Sequence, residues 1–180
     1  MDTDCELILR CRADARAFET LMERYKTRIY SFLTGLAGAT LADDLFQEFW
    51  LKVYRNADRY EARGRAAGWL FRIANNVAMD GLVRQRRGKD HVDISELGES
   101  LPDGAPTAHA LAERDELRRR LDAALEQLPV EQRQIFLMRE YGRMSFREIS
   151  ESLAIPLGTA LSRMNYALEK LRSSLEDLDA

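Results

Sequence analysis

One acidic segment divides this sequence into two halves, and it limits the chain to folds with more than one packed unit. Residues 91–116 contain one Arg against seven Asp or Glu, and two Gly and two Pro fall in the same stretch without a sustained apolar repeat. Such a composition indicates a flexible connection and not a packed core. We therefore predict two small domains, residues 1–90 and 117–180, joined by a flexible acidic linker over residues 91–116.

The linker also explains the formal net charge of −3. Residues 1–90 carry 16 Lys or Arg against 13 Asp or Glu, and residues 117–180 carry ten against ten. Because the negative charge is concentrated in the linker, both flanking domains remain suited to an anionic partner such as nucleic acid.

Apolar residues in both halves recur at three- and four-residue spacing, which predicts an all-α fold. Val, Ile and Thr never alternate with polar residues for long, so little favours strands. In the first half we expect one long helix ending near Gly35 and Gly38, a second beginning after Thr40, and a third over about Ala66 to Arg87. In the second half we expect four helices, at about Leu117–Leu128, Glu131–Tyr141, Ser145–Leu153 and Gly158–Leu175.

The last two of these helices form the sharpest local motif. Ser145 and Glu148 have the spacing of a capping box, and Pro156 breaks the chain before a new helix starts. A short helix, a tight turn and a second helix are typical of a helix-turn-helix, whose second helix enters the DNA major groove. An αα-hairpin that only packs is the alternative. We expect Leu161, Met164 and Leu168 to face inward, and the early exposed residues to be Thr159, Ser162, Arg163, Asn165 and Tyr166.

A second motif lies along the third helix of the first half. An aromatic residue, amides and basic residues mix on what we expect to be its outward side, a combination that suits unpaired bases and their phosphates. A solvated helix face with a buried Trp would explain the same pattern. The residues are Trp69, Arg72, Asn75, Asn76, Asp80, Arg84, Arg86 and Arg87, with Arg63 and Arg65 in the loop before them.

A third motif is an acidic helix flank that begins at Asp43 and Asp44. Two adjacent carboxylates are about 100° apart on a helix and cannot converge on one ion, so we expect no metal site here. A protein docking face or plain surface explains the flank equally well. Cys5 and Cys11 lack the spacing of a zinc site, and we expect both thiols to be reduced.

Together the three motifs resemble the extracytoplasmic-function (ECF) group of bacterial RNA polymerase sigma factors. The run DDLFQEFWLKVYR at residues 43–55 is similar to their polymerase-binding helix, and WLFRIANNVAMD at residues 69–80 to their promoter-melting helix. The segments from LPVEQR at residue 128 to GTALSR at residues 158–163 are similar to the domain that reads the upstream promoter element. The motifs come in the right order, over about residues 15–175.

The resemblance implies a partner for each motif. Asp44, Gln47, Glu48 and Leu51 would bind the clamp helices of the polymerase large subunit, and the second domain would meet its flap. The minus-ten element would be melted and held, with one base flipped out, by Arg63, Arg65, Trp69, Arg72, Asn75, Asn76, Arg84, Arg86 and Arg87. The minus-thirty-five element would be read by Arg147, Thr159, Ser162, Arg163, Asn165 and Tyr166. The linker would thread toward the RNA exit path, and an anti-sigma protein is the expected inhibitor.

Two positions depart from the family pattern, because Leu161 and Tyr166 stand where basic residues are common. Their loss should remove phosphate contacts and weaken upstream binding. We expect no cofactor, no enzymatic activity, no membrane insertion and a cytoplasmic location. The main rival is a helix-turn-helix regulator that acts without polymerase. An all-helical enzyme and a decoy that sequesters the anti-sigma protein are further alternatives.

Overall fold

Helices alone make up the regular structure of the described residues. A computed structural model describes residues 2–62, 65–88 and 119–176, apart from the side chains at 88, 175 and 176. The all-α prediction is confirmed, whereas the acidic segment 91–116 lies outside the described residues. Of the described helices, none has an apolar stretch long enough to cross a bilayer. The helices are α1 (Asp4–Arg10), α2 (Ala15–Ala37), α3 (Ala39–Asn56), a 3-10 turn (Ala57–Arg59), α4 (Ala66–Gly88), α5 (residues 119–126), α6 (Val130–Glu140), α7 (Phe146–Leu153) and α8 (Leu157–Glu176).

The first half is a bundle in which α2, α3 and α4 pack against one another. Phe32 of α2 meets Phe71 of α4 edge to face at 5.3 Å, and both rings are fully buried. Trp50 of α3 is also buried, and its ring lies 4.8 Å from that of Phe49. Trp50 also meets Phe18 of α2 edge to face at 5.7 Å. Full burial of one such side chain stabilises the fold by about 1.5–3 kcal/mol, so these rings hold both α3 and α4 against α2.

Helix α1 adds a flank to the bundle that the apolar periodicity of the longer helices did not single out. A capping box between Thr3 and Glu6 starts the helix, which then buries Leu7, Ile8 and Cys11 against the core. Neither Cys5 nor Cys11 forms a disulfide bond in the described part of the chain, and burial raises the pKa of Cys11.

The second half is a smaller bundle in which α6, α7 and α8 are mutual neighbours, as their short connections predict. One expectation about α8 is wrong. Leu161 and Leu168 are 42% and 43% exposed, and only Met164 of the expected inward set is buried. The inward face is lined instead by small residues such as Ala160 and Ala167, which let α8 lie close to α6 and leave the two leucines on the flank of the contact.

The two halves pack against each other, with α2 against α6 and α4 against α7. Leu137 of α6 lies over Gly35 of α2, where a Cβ atom would come within 3.0 Å of the leucine methyl. Two arginines reach across: Arg28 Nε donates to the carbonyl of Tyr141 at 2.7 Å, and an Arg133 amino group donates to the carbonyl of Leu36 at 3.3 Å. The apolar cores of the halves are therefore continuous.

A buried polar pair also joins the halves. Gln134 Nε2 of α6 donates to Asn75 Oδ1 of α4 at 2.9 Å, and the two residues are 8% and 5% exposed. Buried amides that lose a partner carry a desolvation cost, so this hydrogen bond favours one register between α4 and α6.

Candidate nucleic-acid and protein interfaces

The acidic flank of α3 forms an exposed patch. Asp44 and Gln47 are exposed, and Leu51, one turn further along, is 55% exposed although it is apolar. The spacing of these residues, at i, i+3 and i+7, puts an acidic, an amide and an apolar group on one side of α3, where a partner protein could contact all three. The neighbouring carboxylate of Asp43 is engaged within the domain, because it accepts a hydrogen bond from the Tyr30 hydroxyl at 2.9 Å.

Glu48, the fourth residue of this patch, is held by two cations. Its carboxylate accepts from Arg84 of α4 at 2.5 Å and lies 3.0 Å from Lys52 Nζ. Lys52 in turn lies 3.3 Å from Asp80 of α4. Burial by itself would raise the pKa of Glu48, but the hydrogen bonds from Arg84 and Lys52 outweigh it and lower that pKa. This network ties the expected polymerase-binding helix to the expected promoter-melting helix.

An open cavity of about 580 Å³ lies between the end of α3 and the outer face of α4. Trp69 forms part of its lining, and the Trp69 ring meets that of Tyr60 at 5.1 Å. The cavity combines apolar surface, two amides and several cations, which are the groups that bind an unpaired nucleotide. Its lining residues are Lys52, Asn56, Arg59, Trp69, Arg72, Ile73, Asn76 and Asp80.

The structure brings only part of the expected minus-ten set to this cavity. Trp69, Arg72 and Asn76 line it, whereas Arg65 lies beside α7 in a second, smaller cavity. The interpretation of Asn75 as an outward residue is wrong, since α6 covers it and Gln134 occupies its amide.

The remaining basic residues of that set lie elsewhere or are not described. Arg84 is exposed but is engaged with Glu48. Arg86 and Arg87 are exposed in the last turn of α4, where cations also stabilise the helix dipole. Arg63 lies outside the described residues.

The helix-turn-helix has the local geometry that its sequence predicts. The Ser145 hydroxyl accepts from the Glu148 amide at 3.2 Å, and the Glu148 carboxylate accepts from the Ser145 amide at 2.7 Å, which completes the capping box. Helix α7 then ends at Leu153, and the next residue, Ala154, has a φ of 52°, which places it in the left-handed region. This turn sets the direction in which α8 leaves α7.

The expected reading residues of α8 differ in exposure. Ser162, Asn165 and Tyr166 are exposed, with Tyr166 at 57%, whereas Thr159 and Arg163 are half-buried. Arg147 of α7 is also exposed, and its Nε lies 3.7 Å from a carboxylate oxygen of Glu151. The outer side of α8 therefore presents Ser162, Asn165 and Tyr166 to a partner, with the exposed Leu161 and Leu168 beside Asn165.

Sequence reasoning missed Asn56 and Arg59 as lining residues of the larger cavity. They lie at the end of α3 and in the 3-10 turn, beyond the motif that drew attention to this helix. The only available signal was a polar Asn-Ala-Asp-Arg run directly after an apolar stripe, which marks many helix ends.

Two family sequence profiles match the chain, in the order of its two halves. The profile described as Sigma-70 region 2 matches residues 21–88, and the one described as Sigma-70, region 4 matches residues 118–171.

Known proteins match over nearly the whole length. The chain is 37% identical over 165 residues to the RNA polymerase sigma factor CarQ of Myxococcus xanthus, with 91% of each chain covered. It is 28% identical over 176 residues to the ECF RNA polymerase sigma factor SigW of Bacillus subtilis, with 93% of each covered. In fold it is similar to the sigma factor RpoE from Bartonella quintana, solved in complex with the anti-sigma factor NepR. The TM-score is 0.68 at 20% identity, over 88% of this chain and 96% of that one.

Proposed function

The chain belongs to the ECF group of sigma-70 RNA polymerase sigma factors, and from that premise we propose how its residues start transcription. It binds core RNA polymerase and directs initiation at promoters with a matching minus-ten and minus-thirty-five element. The observation that carries the proposal is the presence of both sigma-70 regions in one chain, at residues 21–88 and 118–171. The chain acts by binding and not as an enzyme, and it works in the cytoplasm, where its polymerase is.

The proposed division of labour follows the three parts of the sequence. Residues 1–90 bind the polymerase and the minus-ten element, residues 117–180 bind the minus-thirty-five element, and residues 91–116 connect them. Two weak sites on one polymerase give a high combined affinity, because the second site binds at a high effective concentration.

The patch on α3 is the proposed contact with the polymerase clamp helices. Asp44, Gln47 and Leu51 offer one charge, one amide and one apolar group to a partner. Glu48 contributes mainly by holding Arg84 and Lys52, which keep α3 and α4 in a fixed relation. Polymerase binding would thus position the minus-ten surface.

The cavity between α3 and α4 is the proposed site for one unpaired base of the minus-ten element. Removing a base from the stack costs a few kcal/mol, so the open strand needs a pocket that offsets this cost. Trp69 supplies an apolar surface, and Asn76 and Arg72 supply hydrogen-bond donors. Arg86 and Arg87 then contact phosphates nearby.

Helix α8 is the proposed reader of the minus-thirty-five element. Asn165 and Ser162 are exposed and able to bond base edges or phosphates, while Leu161 and Tyr166 add no positive charge. We therefore expect upstream binding to depend less on salt than it does in relatives with basic residues at these two positions.

Reading both elements requires the halves to separate. Adjacent base pairs are about 3.4 Å apart along the duplex, so elements named for positions ten and thirty-five lie several tens of ångströms apart. In the described structure α6 covers Asn75, and Glu148 of α7 lies beside Arg65 in the smaller cavity. Opening of the contact between α4 and the pair α6 and α7 would expose these residues to DNA.

An anti-sigma protein is the proposed inhibitor. The relative RpoE binds the anti-sigma factor NepR, and this chain presents an uncovered apolar residue, Leu51, in its polymerase-binding patch. A protein that covered this patch would exclude the polymerase.

The proposal is tested by binding of purified bacterial core polymerase to the fluorescently labelled chain. Asp44→Arg reverses a charge in the proposed contact and should weaken binding at least tenfold. Glu19→Arg reverses a charge at an exposed site of α2 and is the control. The helix-turn-helix alternative would instead show tight binding of duplex DNA by the chain alone and no effect of Asp44→Arg.

A further inference from the structure

The cavity between α3 and α4 takes its lining from two elements. Helix α4 supplies Trp69, Arg72 and Asn76, while Asn56 and Arg59 come from the end of α3 and the turn that follows it. A volume of about 580 Å³ falls in the range of sites that enclose a small ligand, so the cavity has room for a base together with its phosphate. Its selectivity therefore depends on α3 as well as on α4.

Two arginines of the cavity are uncommitted. Within the described part of the chain, the side chains of Arg59 and Arg72 have no ion pair or hydrogen bond, and both residues are exposed. The third cation, Lys52, is already engaged by Glu48 and Asp80. A guanidinium group presents five donors in a geometry that fits phosphate oxygens. Arg59 thus brings a free phosphate-binding group to the α3 side of the cavity.

Asn56 has one half of its amide engaged. Its Nδ2 donates to the carbonyl of Lys52 at 2.7 Å, which leaves Oδ1 as the acceptor available to the cavity. Adenine, cytosine and guanine each carry an exocyclic amino group that donates to such an oxygen, whereas thymine has none. The edge donor of an unpaired thymine is its N3–H, so an acceptor fixed where the exocyclic group of the base lies disfavours thymine, whose carbonyl at that place makes no hydrogen bond with it.

We propose that Arg59 and Asn56 are DNA contacts of this chain, one for affinity and one for base selection. Arg59 binds a phosphate of the unpaired promoter strand, and Asn56 Oδ1 accepts from the amino group of the base in the cavity. Trp69 and Ile73 provide the apolar surface beneath that base. This inference rests on the proposed sigma-factor function and adds two residues that determine affinity and selectivity at the minus-ten element.

Arg59 is tested with holoenzyme assembled from core polymerase and the full chain. The probe is a fluorescein-labelled single-stranded oligonucleotide with the non-template minus-ten sequence of a promoter that the chain uses. Arg59→Ala should weaken binding about tenfold, since a charge-assisted hydrogen bond is lost. The slope of log affinity against log salt should also become less steep by about 0.7, the value for one lost phosphate contact on single-stranded DNA.

Arg16→Ala is the matched control, because it removes the same charge from an exposed position of α2 that does not line the cavity. It should leave both affinity and salt slope unchanged. If Arg59→Ala behaves like Arg16→Ala, the role of Arg59 is overturned.

Asn56 is tested with oligonucleotides that place thymine at each position in turn. For the wild type, thymine at the position held in the cavity should weaken binding about fivefold, as one base-edge hydrogen bond predicts. Asn56→Ala should abolish that difference and keep the preferences at the other positions. A uniform loss at every position, or an unchanged preference, would contradict base selection by Asn56.

The behaviour of the wild-type chain distinguishes a failure of the proposed function from a failure of the roles of Arg59 and Asn56. If its holoenzyme neither binds the oligonucleotide nor starts transcription, the proposed function itself is wrong. If the wild type does both and the two variants match Arg16→Ala, only the inference about Arg59 and Asn56 is wrong.

Discussion

At the scale of single residues, Glu48 and Asn75 acquire their roles from neighbours that are distant in sequence. From the sequence, Glu48 is one more acidic residue on the flank of a helix, yet in the structure it joins α3 to α4 through Arg84. The sequence predicts that the amide of Asn75 points outward, yet Gln134, 59 positions away, covers it. Pairings of this kind depend on how elements pack, which no local pattern encodes.

Glu48 makes folding stability depend on pH in the acidic range. Its pKa is lowered from the ordinary value of 4.5 in the folded chain, so its contribution is present above 4.5 and is lost as the pH falls through the lowered value. Glu48→Gln should reduce the free energy of unfolding by at most about 1 kcal/mol at pH 7, since the cations are partly exposed.

The measurement is urea unfolding of Glu48→Gln and wild type at pH 7 and pH 3. The difference between them should be smaller at pH 3 than at pH 7, because the stability that the lowered pKa of Glu48 provides is lost progressively as the pH falls below 4.5. A difference that stays constant over this range would contradict the paired Glu48. Glu19→Gln, at an exposed position without an ion pair among the described residues, is the control.

Gly142 is required for close packing at the end of α6. A Cβ atom at this position would lie 2.4 Å from the carbonyl oxygen of Met138 and 3.1 Å from the Met144 side chain. Backbone cannot move away as a flexible side chain does, so Gly142→Ala should lower the free energy of unfolding by about 1–3 kcal/mol.

Gly158→Ala is the matched control for this prediction, because an added Cβ meets nothing within 4 Å there. In thermal unfolding, the melting temperature of Gly158→Ala should equal that of the wild type or be slightly higher. Equal stability of the two variants would show that the space around Gly142 is larger than described.

At the scale of elements, the positions of the helices after α1 could be predicted because each of them carries an apolar stripe and a clear stop. Helix α2 ends at Ala37, before Gly38 with its φ of 87°, and Ser145 begins α7 with its capping box. The inward face of α8 could not be predicted in the same way. Its leucines and alanines follow overlapping periodicities. The alanines Ala160 and Ala167 are fully buried, because small side chains permit a closer approach of α8 to α6.

The turn of the helix-turn-helix carries local strain at Ala154. A residue with a Cβ atom pays about 1 kcal/mol or more for the left-handed conformation that Ala154 adopts, whereas glycine does not. Ala154→Gly should therefore raise the free energy of unfolding by up to about 1 kcal/mol. Ala123→Gly, at an exposed position inside α5, should lower it by about the same amount. A loss of stability at both positions in chemical unfolding would contradict the left-handed turn.

At the scale of the whole molecule, the division into two halves could be predicted from the acidic segment, but their contact could not. The polar residues that join them are an arginine on α2, an arginine on α6, an amide on α4 and an amide on α6, and none belongs to an apolar repeat. Both expected family regions are present, and their order agrees with the sequence motifs.

The contact between the halves predicts an energetic coupling between Asn75 and Gln134. In a double-mutant cycle of Asn75→Ala and Gln134→Ala, the coupling free energy should be about 1 kcal/mol, the net value of a hydrogen bond. Denaturant unfolding of the four proteins measures it. Additive effects would mean that the halves do not hold this register in solution. The control is the pair Asn75→Ala and Ser173→Ala, whose effects on the free energy of unfolding should be additive.

The central claim is that this chain selects promoters for RNA polymerase. Its most direct test is run-off transcription from a promoter library by bacterial core polymerase, with and without the chain. We expect transcripts from a defined subset of promoters only when the chain is present, a loss of these transcripts with Asp44→Arg, and their retention with Glu19→Arg. No transcripts from any promoter, together with tight binding of duplex DNA by the chain alone, would contradict the claim.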